Sequence, residues 1–221
     1  MHPSLVQTLA SIPVARLRGV TAVHDGRAAL EEIDLEIPAG RMTLLIGSNG
    51  SGKSTLLGVL AGTHPVARGR IDRRTGTSIA FVVQRSAVSD RLPLTVRETV
   101  AMGRWRSRGS IRPLRKADHA IVDDCLEALG ITALAPRSLA GLSSGQRQRA
   151  FVAQGLAQQA DLLLLDEPTA GADATAQALI HRAIDIELGR GATVVQATHD
   201  PGLHERAALV VHLVDGRRST G

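Results

Sequence analysis

The sequence predicts an α/β fold: a parallel sheet covered by helices and interrupted by a mostly helical lobe. Three short, largely apolar runs carry that expectation, at residues 42–46, 162–165 and 193–197. Such runs, too short for helices and lacking regular alternation, mark strands buried on both faces, as parallel strands are. Helical patterns follow the first two: one through Leu60 after a glycine-rich loop, another over residues 174–188. The middle of the chain instead strings together capping boxes and helix stops.

Taken in order, residues 14–23 and 33–37 read as strands separated by the Asp25-Gly26 turn, and Pro38-Ala39-Gly40 makes a second turn. Residues 42–46 and 79–83 are further strands. Thr95-Val96-Arg97-Glu98 is a capping box that opens a helix. A basic, glycine-containing connection runs from Gly103 to Lys116. Residues 117–129 are amphipathic and stop at Gly130, a helix with its terminator. Ser143 and Gln146 form a second capping-box pattern, opening a helix to Gln158. Residues 193–197 and 212–214 are late strands, closed by Asp215-Gly216.

The chain has 221 residues, 43% hydrophobic, enough for one cored domain over residues 1–221. Its lobes divide at about residues 1–87 and 153–221 for the core and 88–152 for the helical part. No stretch approaches the roughly 18–20 apolar residues of a membrane span, and the start lacks the basic-then-apolar design of a signal peptide. A cytoplasmic location is expected. The single cysteine, Cys125, fits a reducing compartment and reads as a core residue of a helix. The net charge of +5 is a weak pointer to anionic partners, since 21 acidic residues are interspersed. There is no tyrosine and few other aromatics, so stacking platforms for nucleic acid are missing and no nucleic-acid partner is expected.

Gly47-Ser48-Asn49-Gly50-Ser51-Gly52-Lys53-Ser54 matches the P-loop pattern in full, between a strand and a helix. Glycines let backbone N–H groups turn inward onto phosphate oxygens, and the helix start at Lys53, Ser54 and Thr55 adds its positive dipole end. Lys53 is one of only two lysines in an arginine-rich chain. A compact ammonium fits inside a tight loop where a planar guanidinium does not. Lys53 is expected to reach the terminal phosphates of ATP, and the Ser54 hydroxyl to ligate Mg²⁺. An ordinary glycine-rich turn would not need this lysine at this spacing.

Residues 162–165 lead into Asp166-Glu167-Pro168-Thr169. Asp166 is placed to hold Mg²⁺, directly or through water. Glu167, pointing differently, can polarise water for attack on the terminal phosphate. Two solvated acids at a strand end would look the same in isolation; the P-loop upstream favours the catalytic reading.

At this point the sequence resembles the ATP-binding cassettes of ABC transporters. Leu142-Ser143-Ser144-Gly145-Gln146 is similar to the family signature, usually LSGGQ. Gln84 resembles the Q-loop glutamine, Asp173 the D-loop aspartate and His199 the switch histidine. The motifs stand in family order across nearly the whole chain. The resemblance implies a RecA-like P-loop NTPase cassette with an antiparallel β subdomain and a helical subdomain. It implies a head-to-tail pair of cassettes sandwiching two ATP molecules, each between one chain's P-loop and the other's signature residues Ser143, Gly145 and Gln146. On residues alone, that signature is also only a well-capped helix start. Gln84 would touch Mg²⁺, and Glu167, His199 and Gln84 would serve hydrolysis. The implied partners are a second ATP-binding subunit, transmembrane permease subunits and an extracytoplasmic substrate-binding protein. The chain would sit on the inner face of the membrane.

There are departures. Ser144 stands where the signature usually has glycine. His24 replaces the aromatic residue that stacks on adenine; it either stacks more weakly, relaxing base selectivity, or is merely exposed. Val83-Gln84 replaces a frequent proline-glutamine. The segments Gln84-Arg85-Ser86, Leu92-Pro93-Leu94-Thr95-Val96 and Met102-Gly103-Arg104-Trp105 resemble zinc and manganese importers, with siderophore and haem importers as relatives and a soluble non-transport ABC ATPase as the remaining alternative. The run Arg104, Arg106, Arg108, Arg112, Arg115 and Lys116 is either a solvated loop or a surface facing anionic lipid.

Overall fold

The computed structural model describes residues 12–83, 94–108 and 112–219. Gln84 lies outside the described residues. Two sheets organise the chain. A three-stranded antiparallel sheet has the order β2-β1-β4, from β1 (Ala15–His24), β2 (Arg27–Ile37) and β4 (Arg68–Arg73). A six-stranded sheet has the order β5-β6-β7-β3-β8-β9, with β3 (Met42–Ile46), β5 (Ile79–Val82), β6 (Leu162–Asp166), β7 (Thr193–Ala197), β8 (Leu209–Val214) and β9 (Arg217–Ser219). Its strands are parallel except β9, which returns antiparallel to β8.

The period-two geometry of strands explains the two hydrophobic cores. Met42, Leu44, Leu163, Leu165 and Val194 face one side and pack with helix residues such as Val122, Val152, Ile180 and Ile184. Leu45, Leu162, Leu164, Val195 and Ala197 face the other side and meet Leu56, Leu57 and Leu60 of α1 (Lys53–Ala61) and the inner face of β1 and β2. The all-buried patterns of β6 and β7 follow from this double coverage.

Three helices build the lobe beside the sheet: α2 (Val96–Met102), the single turn α3 (Trp105–Arg108) and α4 (Lys116–Ala128). α5 (Ser144–Ala157) runs from this lobe to the sheet, through the position where the sequence divides the two lobes. There an added Cβ on Gly155 would stand 2.3 Å from Val82 Cγ2, so only glycine lets α5 settle on β5. α6 (Ala174–Gly189) connects β6 to β7. Both expected capping boxes are present, Thr95 with Glu98 and Ser143 with Gln146.

The structure corrects the sequence reading in several places. β4 is an additional strand, β2 starts six residues earlier and β8 three earlier than expected. Arg104 is not part of a solvated or lipid-facing run. It is buried, with Nε 3.0 Å from Asp118 Oδ1 and Nη1 2.7 Å from Ala157 O. Arg106, Arg112, Arg115 and Lys116 are exposed. Cys125 is half-buried against the core, its thiol pushed up to about 12 by burial first and by the Glu187 and Asp124 charges next. Among the described residues, no helix is long and apolar enough to cross a membrane.

Candidate active site

β3, β6 and β7 end at one edge of the parallel sheet, where open α/β folds place their ligands. Leu45 is in register with Ala197, and Ala197 with Asp166. The end of β3 and Asp166 are thus two strand spacings apart, about 10 Å. The loop after β3 and the loop after β6 share the space between.

Residues 47–52 form the phosphate loop, and contact enforces two of its glycines, Gly47 and Gly52. A Cβ on Gly47 would lie 2.3 Å from Leu213 O and 2.5 Å from Ser51 Oγ. Gly52 has φ 102°, and its Cβ would lie 2.5 Å from Ala29 O. The backbone therefore passes where side chains cannot. Gly52 leads directly into α1, which has no side-chain cap. Its first N–H groups are left for an anion. Lys53 is buried, its Nζ donating to Gly47 O at 2.7 Å and Ser48 O at 2.9 Å. This closes the loop around the ammonium. The Ser51 hydroxyl is also buried and has no hydrogen-bond partner among the described residues. A cradle of glycine backbone, an uncapped helix start and a buried cation fits a polyphosphate.

Two adjacent carboxylates divide at the end of β6. Asp166 hydrogen-bonds Ser54, joining the β6 end to the first turn of α1. Burial lifts its carboxyl above the usual range; the Ser54 bond pulls it back, the Glu167 charge adds to the rise, and Lys53 opposes it. Ser54 and Asp166 together present the oxygen donors a hard divalent cation takes. Glu167 has φ 47°, a left-handed turn rare outside glycine, and its N–H donates to Ala197 O at 3.2 Å. That turn separates the two side chains. Glu167 Oε1 lies 2.8 Å from Nε2 of His199, which follows β7. A carboxylate only accepts, so Nε2 carries the hydrogen in this pair.

A cavity of about 480 Å³ opens here, lined by Asn49, Gly50, Gly52, Lys53, Ser54, Thr55 and Glu167. Its far wall includes His24, which the sequence singled out, and His64, which it did not. His64 sits in a Thr-His-Pro stretch after α1 with no motif around it. The His24 side chain is 66% exposed.

Ser143, Gly145, Gln146 and Asp173 do not line that cavity. Ser143 Oγ accepts from Gln146 N at 3.3 Å and Gln146 Oε1 from Ser143 N at 3.0 Å, opening α5. A Cβ on Gly145 would stand 3.5 Å from Gly171 O, so this helix start lies beside the loop that Asp173 closes by capping α6 through Ala176 N at 2.8 Å. One chain thus holds two separate clusters: the phosphate cradle with its carboxylates, and the α5 start with the loop before α6.

The sequence model of the ABC transporter family matches residues 30–170. The manganese transport system ATP-binding protein MntB of Listeria innocua is 36% identical over 198 residues, covering 87% of this chain and 82% of that one. The zinc transport system ATP-binding protein TroB of Treponema pallidum is 37% identical over 190 residues, covering 82% and 70%. Among solved structures, an inward-facing ABC transporter of metal-chelate type superposes with a TM-score of 0.80 at 29% identity, over 95% of this chain and 83% of that one. The chain belongs to the ABC transporter family, as an ATP-binding cassette of the kind that hydrolyses ATP to drive transport.

Proposed function

We propose that this chain binds ATP with Mg²⁺ in the cytoplasm, against the inner face of a membrane, and energises uptake of zinc or manganese. The observation that carries the catalytic reading is the division of labour at the end of β6: Asp166 faces Ser54 while Glu167 faces His199. The metal cargo is supported by the manganese and zinc transport systems to which the named relatives belong.

Residues 47–55 bind and orient the triphosphate, with Lys53 supplying charge at its terminal groups. Ser54 and Asp166 would hold Mg²⁺, joined by Gln84, which is outside the described residues; bound there, the cation neutralises phosphate charge. Glu167 accepts a proton from water as the water oxygen bonds to the terminal phosphorus. The bond from that phosphorus to the bridging oxygen breaks, and ADP leaves with the electron pair. His199 holds the Glu167 carboxylate and the attacked phosphate in register. Ser143, Gly145 and Gln146 serve the cradle of a second copy, which accounts for their separation from their own. An apolar cleft of about 250 Å³ between β5 and the helical lobe, lined by Phe81, Val83, Leu94, Met102 and Phe151, suits a permease segment. An extracytoplasmic substrate-binding protein would act through that permease.

The test is reconstitution of the chain with its permease and binding protein in liposomes. ATP-dependent uptake of zinc or manganese, lost in Lys53→Ala, is the expected result. Uptake of a metal chelate but not of free ion would favour the cargo class of the superposing transporter. ATP turnover with no stimulation by any loaded binding protein would point to a non-transport ATPase.

A further inference from the structure

The far wall of the cavity holds two imidazoles that come from distant parts of the sequence. His24 ends β1, and His64 follows the C-terminus of α1. Their ring centroids are 5.8 Å apart, with planes inclined at 40°. That is the separation of interacting aromatic rings. Both line the same cavity as Lys53, Ser54 and Thr55.

The two rings are held differently. His64 is fixed at both ends. Its backbone N–H donates to Gly58 O at 3.1 Å, tying it to α1, and its Nε2 lies 3.0 Å from Val23 O. A carbonyl only accepts, so Nε2 carries the hydrogen. The ring therefore bridges the end of α1 to the residue just before His24. His24 is the more exposed partner: its Nε2 lies 3.7 Å from Asp25 Oδ2, and Arg27 stands opposite it across the hairpin. Fixing the neighbouring carbonyl limits where the His24 ring can go.

We infer that His64 is a nucleobase-positioning residue: its ring, held against Val23 O, stands beside the position where the family resemblance already places the adenine-stacking residue, His24, so that the two imidazoles receive the purine ring together. The inference rests on the nucleotide assignment above and adds a residue to it. The triphosphate occupies the glycine cradle, so the base must leave it along the remaining cavity wall, and that wall presents these rings. Flat π faces stack on any base with little discrimination. The platform thus provides affinity more than choice between adenine and guanine.

The experiment is calorimetric titration of the isolated chain, with Mg²⁺, using ATP, GTP and inorganic tripolyphosphate in parallel. His64→Ala should weaken ATP and GTP by about fivefold to tenfold, the loss expected for one stacking partner. Tripolyphosphate, which has no base, should bind as in the parent. His64→Gln keeps a donor for Val23 O and lacks the ring; it should lose nucleotide affinity as His64→Ala does. Addition of His24→Ala to His64→Ala should cost less than the two separate losses combined, because the rings act as one platform. Unchanged ATP affinity in His64→Ala overturns the inference. So does an equal loss for tripolyphosphate, which would assign His64 to the shape of the phosphate loop. Full recovery in His64→Gln overturns it too, since the hydrogen bond alone would then suffice. Failure of the parent to bind either nucleotide or tripolyphosphate would instead refute the nucleotide assignment itself.

Discussion

Nε2 of His199 stands 2.8 Å from Oε1 of Glu167, although the two residues close different strands, β7 and β6. The positive φ of Glu167 brings its carboxylate to the histidine while Asp166 stays on Ser54. Glu167→Gln keeps the shape and removes the proton acceptor. ATP binding should persist and hydrolysis should fall about 100-fold or more, the typical worth of a positioned base. Removing a negative charge beside the phosphates should also let an ATP-bound dimer accumulate. Turnover assays and size-exclusion chromatography with ATP check both; unchanged turnover removes Glu167 from the mechanism.

Asp166 yields a pH prediction with a definite sign. Burial raises its folded pKa above the unfolded value of about 3.9. Between those two values the folded chain binds more protons than the unfolded one, so this group's contribution to stability declines as pH rises through its folded pKa. Asp166→Asn lacks that decline. Thermal unfolding in EDTA from pH 4 to 7.5 should show the variant gaining on the parent as pH rises. Mg²⁺ should stabilise the parent at neutral pH and the variant much less, and the variant should not hydrolyse ATP. A parent that gains on the variant with rising pH contradicts the assignment.

Two glycines of the phosphate loop are predicted to behave differently. Gly50 and Gly52 both have positive φ, 82° and 102°. A Cβ on Gly50 meets nothing within 4 Å, whereas on Gly52 it meets Ala29 O at 2.5 Å and Leu30 Cδ2 at 2.9 Å. Gly50→Ala should cost about 1–2 kcal/mol, the left-handed penalty alone. Gly52→Ala adds a backbone collision and should cost more and weaken ATP binding. Urea unfolding ranks them; equal losses would show that Ala29 yields easily.

Much of this organisation is visible in the sequence because it is local. The phosphate loop, the capping boxes at Thr95 and Ser143, and the apolar strands at 42–46 and 162–165 each need only their own residues. β4 is harder: Arg-Gly-Arg-Ile-Asp-Arg has no apolar run and becomes a strand only by pairing with β1, Arg16 opposite Asp72. The start of β2 is hidden because exposed Arg27 and Ala28 and the Glu31-Glu32 pair flank a single buried apolar residue, Leu30, and Glu32 turns at φ 50°. His64 becomes a site neighbour only when β1 and α1 pack. Arg104 reads as one more charge in a basic run until Asp118 folds against it.

That buried pair is separable from its exposed neighbours. Arg104→Met takes the Arg104 guanidinium away from Asp118 in a site where both side chains are nearly covered. Breaking such a pair costs about 3–5 kcal/mol. Arg104→Met with Asp118→Leu should recover much of that, less the lost bond from Arg115 N to Asp118 Oδ2. Arg106→Gln and Arg112→Gln should change stability by under about 0.5 kcal/mol. Liposome sedimentation over a salt series reads their other possible role. If these two substitutions leave binding to anionic vesicles unchanged, the exposed run is not a lipid contact.

The last prediction concerns the two clusters that one chain keeps apart. If Ser143 and Gly145 complete the phosphate cradle of a second copy, damage to them must act in trans. Ser143→Arg would fill the partner's phosphate site but also removes the cap of α5, which costs about 1 kcal/mol. Gly145→Asp avoids that confusion. A Cβ there has room, its nearest neighbour being Gly171 O at 3.5 Å, and an acid in the first turn favours the helix. It should therefore leave the fold and single-chain ATP binding intact, while its charge repels the partner's nucleotide and turnover fails. Lys53→Ala disables the cradle instead. A mixed dimer of the two variants has one composite site carrying both lesions and one carrying neither. It should retain turnover above either homodimer. A chain carrying both changes, paired with an unaltered chain, places one lesion in each site and should be inactive. If activity instead follows the presence of both motifs on one chain, the two pairings exchange results and the head-to-tail arrangement is wrong.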